Sequence, residues 1–140
     1  MPLSQFKVVI DQPVDWADMD SFKHVNNVVY FRYFENARVE YFRRIGWWDY
    51  MDETGIGPIV ASTQARFRRP VKYPETLAAG AKVISLATDR FTIRHVLVSR
   101  TTGEMVTEGD AVVVSMDYHN NVKAPLPAEI RRRIEELEGT

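Results

Sequence analysis

The chain predicts an α+β domain on three observations: helical periodicity in an aromatic-rich segment over residues 27–45, β-patterned segments after Pro58 joined by short turns, and a short amphipathic helix near the end. The order strand, long helix, four strands, short helix leaves one long helix to pack on one antiparallel sheet. A length of 140 residues sets the expectation of one domain over 1–140.

Val8-Val9-Ile10, with Val14 and Trp16, favour an extended opening. Pro13 removes a ladder donor, so residues 6–15 read as one irregular edge strand. From Asn27 to Ile45, Tyr30, Phe34, Ala37, Tyr41 and Ile45 recur at three- and four-residue steps, while Arg32, Glu35, Asn36, Arg43 and Arg44 take other faces. Phe31, Tyr33, Val39 and Phe42 widen the apolar arc, which predicts cover on more than one side, as by a sheet wrapping around the helix. Gly46 suits the position just past the helix, and Trp47-Trp48-Asp49-Tyr50 reads as an aromatic plug ahead of the turn through Glu53–Pro58.

Beyond Pro58 the side chains alternate, giving a strand over about 58–69 that Pro70 and Pro74 interrupt. Strands at 78–88, 90–100 and 104–117, separated by Thr88-Asp89-Arg90 and Thr101-Thr102-Gly103, form a meander. Residues 127–137 make the terminal helix, with Pro127 at its start, Ile130, Ile134 and Leu137 on one stripe and the charges on a solvated face.

A net charge of −1 gives no global attraction to nucleic acid or to an anionic membrane, so an anionic ligand must be held by local cations. With no cysteine and only three scattered histidines, neither a thiolate nucleophile nor a metal cluster is indicated. The first residues lack a basic segment followed by an apolar core, and no run is long enough to span a bilayer; a cytoplasmic setting is expected.

The densest polar constellation is Asp18-Met19-Asp20-Ser21-Phe22-Lys23-His24-Val25-Asn26-Asn27, at the entrance of the long helix. A helix N-terminus presents unpaired N–H groups and positive dipole, which suit a carbonyl oxygen or an anion. From the residues alone, Asp18 and Asp20 either order a turn or place an acid or base beside that terminus. Asn26 or Asn27 serves as helix cap. His24 is either a loop histidine or a proton carrier near neutral pH. Tyr30 and Phe34 are packing residues first, with pocket lining a secondary role for Tyr30. Glu35 and Arg38, three residues apart, read as a weak surface pair. Neither His95, in an alternating strand, nor His119, in a turn, is selected as catalytic.

Asp18-x-Asp20, His24-Val25-Asn26-Asn27, Tyr30, Tyr33-Phe34-Glu35 and Ala37-Arg38 together resemble the hot-dog-fold acyl thioesterases, a 4-hydroxybenzoyl-CoA thioesterase-like superfamily, in the branch with a His-Val-Asn-Asn helix entrance. The resemblance implies an antiparallel sheet wrapped around a central helix, assembly as a homodimer or homotetramer, and hydrolysis of acyl-CoA or acyl-carrier-protein thioesters without a further cofactor. It puts the nucleophile or general base on Asp20 and an assisting histidine on His24, with Asp18 the weaker candidate. Phe22 departs from the plant carrier-protein thioesterase pattern, which has asparagine there. A thioester carbonyl needs polarisation and an oxygen nucleophile; N–H groups over Val25, Asn26 and Asn27 suit the first and a carboxylate the second. Tyr30 and Arg69 complete the expected substrate contacts, Arg69 within the cationic run Arg66–Lys72 that either faces CoA phosphates or is a solvated strand end.

Overall fold

The computed structural model describes residues 1–140. Its strands are β1 (Val8–Pro13), β2 (Ile56–Phe67), β3 (Thr76–Leu86), β4 (Arg90–Ser99), β5 (Met105–Asp117) and β6 (Val122–Lys123). Its helices are α1 (Asn27–Arg44), α2 (Trp47–Thr54) and α3 (Ala128–Glu138). The strands form one antiparallel sheet in the order β1-β3-β4-β5-β2, with the short β6 added to β5. The predicted meander is β3-β4-β5, and the long connection containing α1 carries the chain from one sheet edge to the other.

Helix α1 touches β1, β2, β3 and β4, so the sheet curls around it as the hot-dog resemblance implies. The predicted stripe is buried: Tyr30, Phe34, Ala37, Tyr41 and Ile45 are each at most 2% exposed, which places this face in the core. Opposite it lie Leu77, Ala79, Ala81, Ile93, Leu97, Ala111 and Val113, all buried. The alanines of β3 and β5 let the aromatic face of the helix approach the sheet closely. Gly109 of β5 lies under Phe34 and beside the β2 backbone, with no room for a side chain. A Cβ there would stand 2.1 Å from the Gln64 carbonyl oxygen and 2.9 Å from Phe34.

Two local readings are corrected. The Trp47–Tyr50 plug is the first turn of α2, an eight-residue helix bracketed by the left-handed Gly46 and Gly55. These glycines, at φ 70° and 76°, tolerate a conformation that other residues adopt at a cost, so both ends of this short helix are set locally. The irregular strand 6–15 is a strand only over Val8–Pro13, and Trp16–Asp18 forms a single 3₁₀ turn. Pro13 stands at the strand's end, where the missing N–H does little harm. One residue beyond the predicted terminal helix, the structure adds a buried anchor. Glu138 accepts hydrogen bonds from the Tyr41 hydroxyl (2.7 Å), the Val83 N–H (3.0 Å) and the Lys82 ammonium (3.1 Å), docking α3 on α1 and β3.

His95 is fully buried on β4, stacked on Phe34 at 4.9 Å between ring centroids, with Arg38 Nη1 at 3.3 Å from its Nε2. Arg38 is itself 7% exposed and makes no ion pair with Glu35, so the expected surface pair is replaced by an interior Arg–His contact. Burial, and then the Arg38 charge, push the imidazole pKa from 6.5 down to about 3. Between those values the unfolded chain binds a proton that the folded protein does not. Stability therefore rises with pH through this window and is lost as pH falls from 6.5 toward 3, by ~1.4 kcal/mol per unit for this group. In denaturant unfolding between pH 7 and pH 5, the wild type should lose roughly 2 kcal/mol more than a His95→Gln variant, which has no titrating ring. Equal losses in the two proteins would assign the acid sensitivity elsewhere.

Candidate active site

The segment before α1 is built by local hydrogen bonds. Asp15 caps the 3₁₀ turn Trp16–Asp18, and the Asp18 side chain accepts from the Asp15 N–H in return. A tight hairpin follows: Met19 bridges Val25, the Asp20 N–H donates to the His24 carbonyl (2.9 Å), and the Lys23 N–H donates to the Asp20 carbonyl (2.9 Å). Lys23 takes the left-handed conformation at φ 65° to close this turn. The Val25 N–H donates to the Val71 carbonyl (2.8 Å), tying the hairpin to the segment after β2.

Within this frame the two carboxylates point to different environments. Asp18 is buried and accepts from the Tyr33 hydroxyl (2.6 Å) and from Arg32, so it anchors α1 and is withdrawn from chemistry. Burial, then the hydrogen bond to Asp18, raises the Tyr33 hydroxyl pKa well above its usual value, keeping it a neutral donor. Asp20, two residues on, is only partly buried and lines a cavity of about 500 Å³. Its Oδ1 accepts from the Phe22 N–H (2.8 Å), which fixes the carboxylate and leaves Oδ2 free of intramolecular bonds.

The same cavity is lined by His24, Val25, Asn26, Asn27, Tyr30 and Arg69, so every site residue selected from the sequence meets there. Four more residues line it: Phe67 and Arg68, from the cationic run expected to face either CoA or solvent, and Phe22 and Pro70, which the sequence reading does not place in the site. Phe67 packs against Tyr30 and Phe31, at 5.4 and 6.4 Å between centroids, yet stays 41% exposed and gives the cavity an apolar rim. Its position at the end of β2, beside the proline break, is the available signal.

Hydrogen bonding narrows the three expected N–H donors to one. Val25 donates to Val71 and the Asn26 N–H donates to the Asp18 carbonyl (3.0 Å). Asn26 is the helix cap, its Oδ1 accepting from Val28 (3.0 Å), and the Asn26 carbonyl accepts from Val29 (2.9 Å). The Asn27 N–H has no partner within the chain and stands at the positive end of α1, where a negative oxygen is best stabilised. Tyr30 is 2% exposed; burial raises its hydroxyl pKa, and the nearby Asp20 charge adds to the rise. Arg69 and Arg68 lie at the rim, paired with Glu104 (3.0 Å) and Glu108 (2.5 Å).

No helix is long and apolar enough to cross a membrane. The sequence model of the thioesterase-like superfamily matches residues 14–134. The uncharacterised protein YsmA of Bacillus subtilis is 31% identical over 103 residues, covering 74% of this chain and 68% of YsmA. FadM of Escherichia coli, a long-chain acyl-CoA thioesterase, is 22% identical over 119 residues, covering 85% of this chain and 90% of FadM. A thioesterase of Thermus thermophilus, solved in complex with coenzyme A and zinc, superposes with a TM-score of 0.87 at 30% identity, covering 99% of this chain and 98% of that one. A helix wrapped by a curled antiparallel sheet, a polar cavity at that helix's entrance and a family match over most of the sequence place the protein in the thioesterase-like superfamily as a hot-dog-fold thioesterase.

Proposed function

We propose that the protein hydrolyses acyl-CoA thioesters to a free carboxylic acid and CoA, with Asp20 as the catalytic carboxylate. The observation that carries this reading is the meeting of the Asp20 carboxylate and the unbonded Asn27 N–H in one cavity. The thioester oxygen would lie at the Asn27 N–H, where the helix dipole stabilises the negative charge that develops on attack. Asp20 either takes a proton from the attacking water, which yields the acid directly, or attacks as nucleophile to form an acyl-Asp20 anhydride that water hydrolyses after the thiol has left. The C–S bond then breaks, and His24 supplies the proton that the departing thiolate requires. No cofactor enters this scheme, CoA being part of the substrate. Relatives support the substrate class: FadM is an acyl-CoA thioesterase and the Thermus thioesterase binds coenzyme A.

The test is release of free thiol from a panel of short, long and aromatic acyl-CoAs by wild type and Asp20→Asn. Hydrolysis by wild type that is lost in a folded Asp20→Asn variant supports the reading. Full activity in the variant removes Asp20 from the chemistry. Tight acyl-CoA binding without thiol release would make the protein a binding module, and turnover confined to acyl-carrier-protein substrates would move it to that class.

The proposed working form, in the cytoplasm, is a homodimer or homotetramer. Strand β2 is the sheet's last strand, twelve residues long with an unpaired edge, and carries Ile59 and Val60 at 40% and 38% exposure beside the exposed Phe67. A long, partly apolar free edge is a template for pairing with another strand, and a second copy offers the same edge antiparallel across a two-fold axis. Light scattering at micromolar concentration should give the mass of two or four chains; a monomer there would contradict the assignment.

A further inference from the structure

On the far side of the Asp20 hairpin a second cavity, about 590 Å³, is lined by Trp16, Met19, Asp20, Lys23, Lys72 and Tyr73. Trp16 is 70% exposed and Tyr73 49%, which leaves two large aromatic surfaces bare beside two lysines. Neither lysine makes an ion pair within the chain, whereas Arg68 and Arg69 at the first cavity are both paired with glutamates.

The backbone carrying these side chains is rigid. Trp16 opens a 3₁₀ turn closed on both sides by the reciprocal Asp15–Asp18 cap, with Asp18 clamped to α1 through Tyr33 and Arg32. Lys72 and Tyr73 follow Val71, whose carbonyl accepts from Val25, and the Tyr73 N–H lies 3.5 Å from the Met19 sulfur. An aromatic held on a fixed backbone and left uncovered is preorganised to stack on a flat partner, so little ordering opposes binding. Free ammonium groups beside it suit phosphate.

We propose that this second cavity receives the nucleotide end of the CoA thioester, the adenine stacking between Trp16 and Tyr73 and the phosphates facing Lys23 and Lys72. The inference rests on the acyl-CoA reading and deepens it. Asp20 borders both cavities, so the thioester can lie on one side of the hairpin while the nucleotide lies on the other. The single bonds of the pantetheine arm allow that fold-back. A carrier-protein thioester lacks the adenine, so the cavity favours CoA substrates over carrier-protein ones.

Two measurements on the full chain test it. Isothermal titration with adenosine 3′,5′-bisphosphate should show saturable binding that weakens about 10-fold or more in Trp16→Ala and in Lys72→Ala, the range expected for loss of one base stack or one phosphate contact. No binding by wild type, or equal binding by all three proteins, overturns the proposal. In kinetics, Trp16→Ala should raise KM for an acyl-CoA by a similar factor while kcat, and turnover of the matching acyl-pantetheine, stay at wild-type values. An unchanged acyl-CoA KM in Trp16→Ala overturns it as well. Bisphosphate binding without hydrolysis of either thioester would remove the hydrolase reading and leave the nucleotide cavity standing. Hydrolysis of both with no preference between them would do the reverse.

Discussion

Replacing Asp20 with asparagine should lower kcat/KM for acyl-CoA hydrolysis by ~10²–10⁴-fold, the contribution usual for a positioned general base. The substitution separates chemistry from folding. The Phe22 N–H donates to Asp20 Oδ1 at 2.8 Å, and an asparagine carbonyl can accept the same bond, so the Asp20–Lys23 turn and its left-handed closing residue persist. What disappears is the charge, and with it the capacity to take a proton from water or to attack a thioester carbon. Thermal unfolding and circular dichroism should be unchanged, with KM moving far less than kcat if the thioester is held by the Asn27 N–H and the cavity walls. A variant retaining more than about a tenth of wild-type kcat would shift the carboxylate's role from catalysis to turn formation.

The second large effect concerns the neighbouring carboxylate and has the opposite signature. Asp18→Ala should destabilise the fold by about 2–4 kcal/mol while leaving every residue of the proposed chemistry in place. The Tyr33 hydroxyl, in a residue 1% exposed, would lose its 2.6 Å acceptor and remain buried without a partner. The Asp15 N–H would lose its cap bond as well. Arg32 contributes less to this sum because its side chain is 56% exposed and water replaces the carboxylate. The melting temperature should fall by roughly 10 °C for a chain of this size. A fall under about 2 °C would show that the buried carboxylate is dispensable. Together these outcomes would separate Asp18 as a stability residue from Asp20 as an activity residue, although both belong to the same Asp-x-Asp motif with only Met19 between them.

Residue spacing makes much of the molecule legible. The α1 stripe and the β3-β4-β5 meander follow from patterns repeated over many residues, where one exception does not disturb the period, whereas the site at the helix entrance is legible from the dense polar run Asp18–Asn27 and the family resemblance it carries. The misread parts depend on what a residue meets far away in sequence. Glu138 is buried because Tyr41, Lys82 and Val83 meet it, and no pattern within a helix announces partners 55 to 97 positions distant. Arg38 lies three residues from Glu35, a spacing that suggests a surface pair, yet β4 brings His95 to it instead. Helix α2 is too short for periodicity to show; its bracketing glycines are the only local sign. Val25, Asn26 and Asn27 look equivalent as donors in the sequence, and only the hydrogen bonds to Asp18 and Val71 set the Asn27 N–H apart.

The packing of Phe34 over Gly109 bears on where a substrate tail would run on the acyl-CoA reading. Phe34, Ala37, Tyr41 and His95 are fully buried beneath the helix, and the space between it and the concave sheet is filled by side chains. On the acyl-CoA reading, a hydrocarbon tail entering beside Asn27 would meet this buried face if it ran under α1. A separate cavity of about 520 Å³ lies along the flank, where Val28, Val29 and Phe31 face Val60 and Thr63, with Arg32, Glu35 and Arg38 also in its lining, and it would offer the tail an alternative route. On the acyl-CoA reading, chain length would be gauged against the outer margin of the helix and the β2 edge that the proposed dimer covers, so preference for short or long acids would depend on residues outside the interior that keeps the protein folded.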